Sequence, residues 1–268
     1  MNQEDLVSVI MPTYNAGKYL AGSINSILNQ SYKNLELLIT DDASTDPTTL
    51  QLLQEFASKD NRVDILYLKE NHGAGYARNQ SIERAKGRYI AFCDSDDRWT
   101  TDKLEKQIAF MNKKKCALSC ASYIIFDGET QNEIGFCTAP KKITYGMMKR
   151  DNKVGCLTAI YDVQMLGRKF FMPTIRKRQD WALFLQIIRE CKVCYAYPDK
   201  PLAYYCIRRN SISSNKMSLM KYNIAVYKEI LGFHPIKANL YFFTLFLPTY
   251  GAKILKRKFD SYTFIHQK

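Results

Sequence analysis

The sequence predicts an α/β protein built on a mainly parallel sheet, and three observations carry that expectation. The first hundred of its 268 residues alternate short apolar, β-branched runs with amphipathic stretches in a β-α-β-α-β-α-β order. Polar loops gather at one end of these runs, and the fourth run discharges into Asp94, Ser95, Asp96 and Asp97. Ligands of open α/β sheets bind outside the carboxyl ends of the strands, so this acidic turn stands where chemistry is expected.

Each element has a local reason. Leu6 to Met11 is an apolar run closed by Pro12, followed by the turn Thr13-Tyr14-Asn15-Ala16-Gly17 and a helical pattern with Leu20, Ile24, Ile27 and Leu28 on one face. Leu35 to Thr40 reads as the second strand and ends in Asp41-Asp42-Ala43-Ser44-Thr45-Asp46; Pro47 then opens a helix to about Ser58 with Asp46 as its N-cap. Val63 to Leu68 is the third strand, Asn71 to Gly75 a loop, Tyr76 to Lys86 a helix and Arg88 to Cys93 the fourth strand. Thr101 to Lys114 is an amphipathic helix with Leu104, Ile108 and Met111 inward. Beyond it, Cys116 to Phe126, Ile134 to Thr138, Gly155 to Tyr161 and Leu202 to Ile207 read as strands, and Tyr145 to Arg150 and Ser218 to Leu231 as helices, the last of them exposed.

Composition narrows the class. With 46% hydrophobic residues the chain buries an ample core. The formal charge of +13 is unevenly placed: residues 1–100 carry a net −4, leaving +17 for the rest. Such asymmetry suggests an extended anionic partner. Nucleic acid is disfavoured because the functional edge of the sheet is acidic. Most of the eight cysteines lie in apolar runs and nothing at the N-terminus resembles a signal peptide, so a reducing cytoplasm is expected. Cys191-Lys-Val-Cys194 is a lone CxxC with no second ligand pair at zinc spacing.

Three like charges within four residues repel unless a cation sits among them. Mg²⁺ and Mn²⁺ take oxygen ligands, usually one or two carboxylates plus phosphate oxygens, so a metal-bound diphosphate is the implied ligand. The competing reading is a solvated turn with Asp97 capping a helix near Thr100. No glycine fingerprint of a dinucleotide fold follows the first strand, so a base and ribose would be gripped by side chains. Asp180, between Arg178 and Trp181 at the head of a helical run, is either a simple cap or a functional carboxylate. The loop Arg208-Arg209-Asn210-Ser211-Ile212-Ser213 suits a diphosphate or plain solvent.

Four segments in order, Val7 to Asn15, Asp41 to Asp46, Ala77-Arg78-Asn79 and Gly87 to Asp97, resemble family 2 glycosyltransferases, inverting enzymes of the GT-A fold that use nucleotide-activated sugars. The resemblance implies that residues 1–100 bind the nucleotide sugar, 101–215 the acceptor, and 216–268 form a helical tail. It places Pro12, Tyr14, Asn15, Asp42, Arg78, Asp94 and Ser95 at the nucleotide, with Asp42 accepting from uracil, and Asp96 and Asp97 at Mn²⁺ or Mg²⁺. Gln179-Asp180-Trp181 is similar to the family's Glu/Gln-Asp-Trp signature, making Asp180 the general base, and Arg208, Ser211, Ser213, Arg178 and Trp181 would meet the diphosphate or acceptor. Two departures stand out. Ala43 occupies the family's glycine position, so the turn there is expected to avoid positive φ. Cys206 and Arg208 replace the common Arg and His.

The Gly155-Cys-Leu-Thr and Arg-x-Arg-Gln-Asp segments further resemble the branch that builds O-antigen and teichuronic acid. That likeness implies transfer of galactose or glucose from UDP, in β linkage, to N-acetylglucosamine on a polyprenyl diphosphate, with Arg176, Lys177 and Arg178 near the lipid's phosphates. Residues 216–268 carry a net +7 beside the aromatic run 239–250, too short to span a bilayer and read as a helix in an anionic membrane interface at the cytoplasmic face. The alternative is a helix packed on the catalytic domain or a dimer partner. A sugar nucleotidyltransferase, or a glycosyltransferase with another donor or acceptor, is the competing function; the former usually has a glycine-rich basic first loop, whereas Pro12 to Gly17 contains a single glycine and no basic residue.

Overall fold

The computed structural model describes residues 5–208 and 216–266. Its first half follows the alternation of the sequence: β1 (Val7–Thr13), α1 (Gly17–Leu28), β2 (Leu35–Asp41), α2 (Pro47–Lys59), β3 (Val63–Tyr67), α3 (Ala74–Arg84) and β4 (Tyr89–Phe92). Asp46 caps α2, its carboxylate accepting from the Thr49 amide at 2.9 Å. β1 runs two residues further than expected and includes Pro12, which lies past the stretch paired to β4, where a missing N–H is tolerated.

The second half continues with β5 (Arg98–Trp99), α4 (Lys103–Lys114), β6 (Leu118–Ala121), β7 (Tyr123–Asp127), β8 (Glu133–Cys137), β9 (Lys142–Thr144) and α5 (Tyr145–Arg150). A 3₁₀ turn at Cys156–Thr158 leads into β10 (Ile160–Asp162), followed by α6 (Val163–Leu166), α7 (Gln179–Cys191), β11 (Val193–Tyr197) and β12 (Ala203–Ile207). The run 116–126, expected as one strand, breaks at Ser122 and feeds two sheets through β6 and β7. The strand expected at 155–161 is half 3₁₀ turn. No helix is capped by Asp97; α4 starts only at Lys103.

The large sheet has the order β3-β2-β1-β4-β10-β6-β11-β9, and the small one β5-β12-β7-β8. β10 is antiparallel to both of its neighbours, and β6 and β11 again run with β4. Alternation along the parallel strands splits the core into two layers. Ile10, Leu38, Ile90 and Phe92 face one side with Ile82 of α3 and the apolar face of α7. Val9, Met11, Leu37, Ile39 and Ala91 face the other, under α1, α2 and α4. This is a mixed α/β fold of the GT-A type.

The C-terminal region consists of α8 (Lys216–Ala225), a π-helical turn at Val226–Ile230, α9 (Pro235–Tyr241), a second π turn at Phe242–Phe246 and α10 (Leu247–His266). The segment 218–231 is not simply exposed: Val226 and Tyr227 are buried in the α7 layer. Phe242 and Phe246 join them, with the Phe246 ring stacked on Trp181 at 5.6 Å. The opposite face stays uncovered, so packing on the domain and exposure of an apolar surface coexist in one helix pair. Further along, α10 rests on β8, where the Phe136 amide donates to Ser261 Oγ at 2.9 Å and Phe136 stacks on Phe264. Among the described residues no helix is long and apolar enough to cross a membrane.

Candidate active site

The carboxyl ends of β1, β2 and β4 bring their loops to one edge, as parallel register requires. Tyr14 projects there, 51% exposed, while Pro12 is buried beneath it. Asn15 is less free than expected for a nucleotide contact: its side-chain oxygen accepts from the amides of Thr45 and Asp46, tying the first loop to the second. Asp42 is buried, and its two carboxylate oxygens accept from the backbone amides of His72 and Gly73 at 2.8 and 2.7 Å, which fixes the loop ahead of α3. Each oxygen retains a lone pair, so uracil recognition stays chemically open to it. The expectation for Ala43 is overturned: its φ is +62°, the left-handed conformation that a glycine would adopt without strain. Asp41 holds this turn by accepting from both the amide and the hydroxyl of Ser44.

At the end of β4 the three acids face different partners. Asp94 accepts from Arg78 at 2.5 Å, and Asp96 pairs with Arg208 at 2.6 Å. Asp97, expected at the metal, is turned inward instead; it is buried and accepts from the Cys206 amide at 2.9 Å, fastening β12 to the acidic turn. Ser95 is half-buried between them. Burial, then the neighbouring Asp94, raises the proton affinity of Asp96 in spite of Arg208; burial with Asp96 and Asp94 does the same to Asp97. The cluster is therefore short of positive charge. Hard oxygen donors around a charge deficit suit Mg²⁺ or Mn²⁺. Among the described residues no three His, Cys, Asp or Glu enclose a cation unaided, so phosphate oxygens would have to complete the shell. Thr13 Oγ1, Arg78 Nε and Arg208 Nε are buried without a partner, which fits an anionic ligand at this edge.

Asp180 lies in the first turn of α7, and Arg78 links it to the acids of β4. Burial opposes the charge on Arg78, but Asp94, Cys156 and Asp180 together hold its pKa above the ordinary value. The two helix starts meet closely. A Cβ on Gly75 of α3 would stand 2.3 Å from the Gln179 carboxamide, so a larger residue there would have to displace the Gln179 side chain. Trp181, expected at the acceptor, is 1% exposed; one position past Asp180 the helix has turned inward, and the indole N–H donates to the Met148 carbonyl at 2.7 Å. Arg178 has φ +68° and donates to Asn223 Oδ1, while Arg176 is exposed. Ser211 and Ser213 lie outside the described residues.

Two neighbours of the site carried no signal in the sequence. Cys156, on the 3₁₀ turn before β10, lies among Arg78, Asp94 and Asp180, and burial pushes its thiol pKa up. Asn152 donates its side-chain N–H to Asp180 Oδ2 at 2.9 Å from 28 residues away. Cys194 of the CxxC lies with its sulfur 3.7 Å from Cys120, and all eight cysteines are free thiols.

The family model described as Glycosyl transferase family 2 matches residues 8–171. TuaG of Bacillus subtilis, a glycosyltransferase named for teichuronic acid biosynthesis, is 42% identical over 89% of this chain and 93% of its own. WfgD of Escherichia coli, named as a UDP-Glc:α-D-GlcNAc-diphosphoundecaprenol β-1,3-glucosyltransferase, is 38% identical over 81% of this chain and 83% of its own. Among solved structures, S. aureus TarS in complex with UDP-GlcNAc superposes with a TM-score of 0.66 at 21% identity, covering 88% of this chain and 70% of TarS. At that identity the likeness speaks for the fold.

Proposed function

The chain belongs to glycosyltransferase family 2, and from that premise we propose that it is a metal-dependent, inverting hexosyltransferase. It moves glucose, with galactose as the alternative, from a UDP-sugar to N-acetylglucosamine carried on a polyprenyl diphosphate, in β linkage, in surface-polysaccharide synthesis. The observation that supports this reading is the meeting of α3 with the head of α7, where Gly75 abuts Gln179 beside Asp180 and Arg78 of the same helix α3 pairs with Asp94 at the end of β4. The name of WfgD supports the acceptor class and the donor, and that of TuaG the surface-polysaccharide setting.

In this reading residues 1–100 grip the nucleotide through Tyr14, Asp42 and Asp94, and 101–215 form the acceptor side. Asp96 would hold Mn²⁺ or Mg²⁺ with the donor's phosphates, and the cation supplies charge neutralisation for the departing diphosphate. Arg78 and Arg208, each paired with an acid of the β4 turn, bring positive charge to the same edge. Asp180 takes the proton of the acceptor hydroxyl as it attacks the anomeric carbon from the face opposite UDP, which inverts that carbon. Arg176 is free to meet the lipid diphosphate, whereas Arg178 is engaged by Asn223.

The C-terminal helices offer the lipid side of the reaction a surface. Ile236, Leu240, Phe243, Leu247, Leu255, Phe259, Tyr262 and Ile265 are exposed at spacings that repeat along one helical face, with Leu255 and Phe259 near 70%. Lys237, Lys256, Arg257 and Lys258 are exposed alongside them. An apolar stripe edged by cations matches an anionic bilayer at the cytoplasmic face, where each basic residue adds about 1 kcal/mol. The test is UDP release from UDP-glucose, UDP-galactose and UDP-N-acetylglucosamine with a synthetic lipid-diphosphate N-acetylglucosamine acceptor, with and without Mn²⁺. Release that is acceptor-dependent, Mn²⁺-dependent and abolished in Asp180→Asn is expected; release indifferent to acceptor and to Asp180 sinks the assignment.

A further inference from the structure

Asp180 accepts from the side chain of Asn152, and the backbone of Asn152 is itself bonded by the C-terminal helix. Asn152 Oδ1 accepts from the Val154 amide at 3.1 Å, which leaves its NH₂ to face Asp180 Oδ2 at 2.9 Å. The carboxamide cannot flip without breaking both bonds. Its backbone is clamped as well: Lys253 of α10 donates to the Asn152 carbonyl at 2.5 Å and pairs with the buried Asp151 at 3.0 Å. Lys153 pairs with the same oxygen of Asp151, Oδ2, also at 3.0 Å. A short relay therefore runs from Lys253 through residues 151–152 to the carboxylate assigned to proton removal.

We propose that Asn152 is a positioning residue for Asp180, with Lys253 of the C-terminal helix holding it in place. Bonding one oxygen of a carboxylate fixes its plane and presents the other oxygen, here Oδ1, to the incoming hydroxyl. A base displaced by about 1 Å can lose on the order of a hundredfold in rate. The helix pair that exposes the apolar stripe is by this route part of the acceptor site and not only an attachment.

This rests on the glycosyltransferase reading, and the experiment keeps the two separable. Wild type, Asp180→Asn, Asn152→Ala, Asn152→Asp, Lys253→Met and Phe259→Ser are assayed in detergent with a short-chain lipid-diphosphate acceptor, alongside UDP calorimetry and thermal melts. Asn152→Asp is isosteric and keeps the acceptor for Val154, but turns the donor facing Asp180 into an acceptor. Expected are kcat losses of about 10- to 100-fold for both Asn152 variants and a smaller loss for Lys253→Met, each with UDP affinity and KM for donor within about twofold. Phe259→Ser is expected to lose less than Lys253→Met; an equal loss would assign the Lys253 effect to the apolar stripe and overturn the relay. Wild-type kcat in Asn152→Asp would reduce Asn152 to a structural acceptor and overturn the proposal even if Asn152→Ala were inactive or unfolded. If the wild-type protein itself transfers no sugar, the parent reading fails first.

Discussion

The carboxylates that end β4 and the carboxylate that begins α7 live in opposite surroundings. Asp94, Asp96 and Asp97 are crowded, partly or wholly desolvated, and answered by Arg78, Arg208 and a backbone amide. Among the described residues Asp180 accepts from the neutral amide of Asn152, and Arg78 acts on it only at longer range. The first arrangement raises the demand for a cation, and the second leaves an oxygen for a proton. The difference teaches that carboxylates close enough to share Arg78 can be assigned separate tasks by their neighbours alone.

The sharpest way to break that division is to neutralise one member on each side. Asp180→Asn should lower kcat by about 10²–10⁴-fold with UDP binding retained. Asp96→Asn should abolish the Mn²⁺ enhancement of UDP binding in calorimetry; equal Mn²⁺ enhancement in both variants would erase the distinction. Asp97 sharpens it further, because its role is predicted to be structural. Asp97→Ala should destabilise by about 1–3 kcal/mol in urea melts by orphaning the Cys206 amide, and Asp97→Asn, which still accepts from it, should be far milder.

Among the described residues one buried amine has neither an ion pair nor a hydrogen bond. Lys103 is fully buried, its ammonium 4.1 Å from the Trp99 ring centroid and without a hydrogen-bond partner, and burial lowers its pKa to about 7. In the unfolded chain this lysine stays protonated to about pH 10.5, in the fold only to about 7. The unfolded state therefore binds more protons between those values, and stability rises with pH across that window. Lys103→Met should raise stability at pH 7 and flatten this rise; a parallel pH profile in both proteins would show the amine to be charged in the fold. The smallest effect is expected at Ala43→Gly, which relieves positive φ and should stabilise by at most about 1 kcal/mol in the same melts.

The parallel half was legible because its signals are local. Continuous apolar runs that bury both faces, Pro47 after Asp46 and the acidic turn each act within a few residues. The second half depends on contacts distant in sequence. β5 is two residues long, β9 three, and each exists only through pairing with a partner some 50 or more residues away. Trp181 illustrates the limit within the site: a motif places it beside Asp180, but helical rotation sends consecutive residues to different faces. Asn152 and Cys156 had no pattern to announce them, since the fold alone brings them to α7 and Arg78.

One reversed strand explains how they get there. Because β10 runs against β4, the chain enters it at the rim where β4 ends and leaves it at the far rim, where Asp162 accepts from Arg88. The segment leading into β10 consequently arrives at the rim where β4 ends. Changes of length or sequence in 151–159 would therefore be felt at the rim that holds Asp94 and Asp180, whereas changes just after Asp162 would fall at the opposite rim.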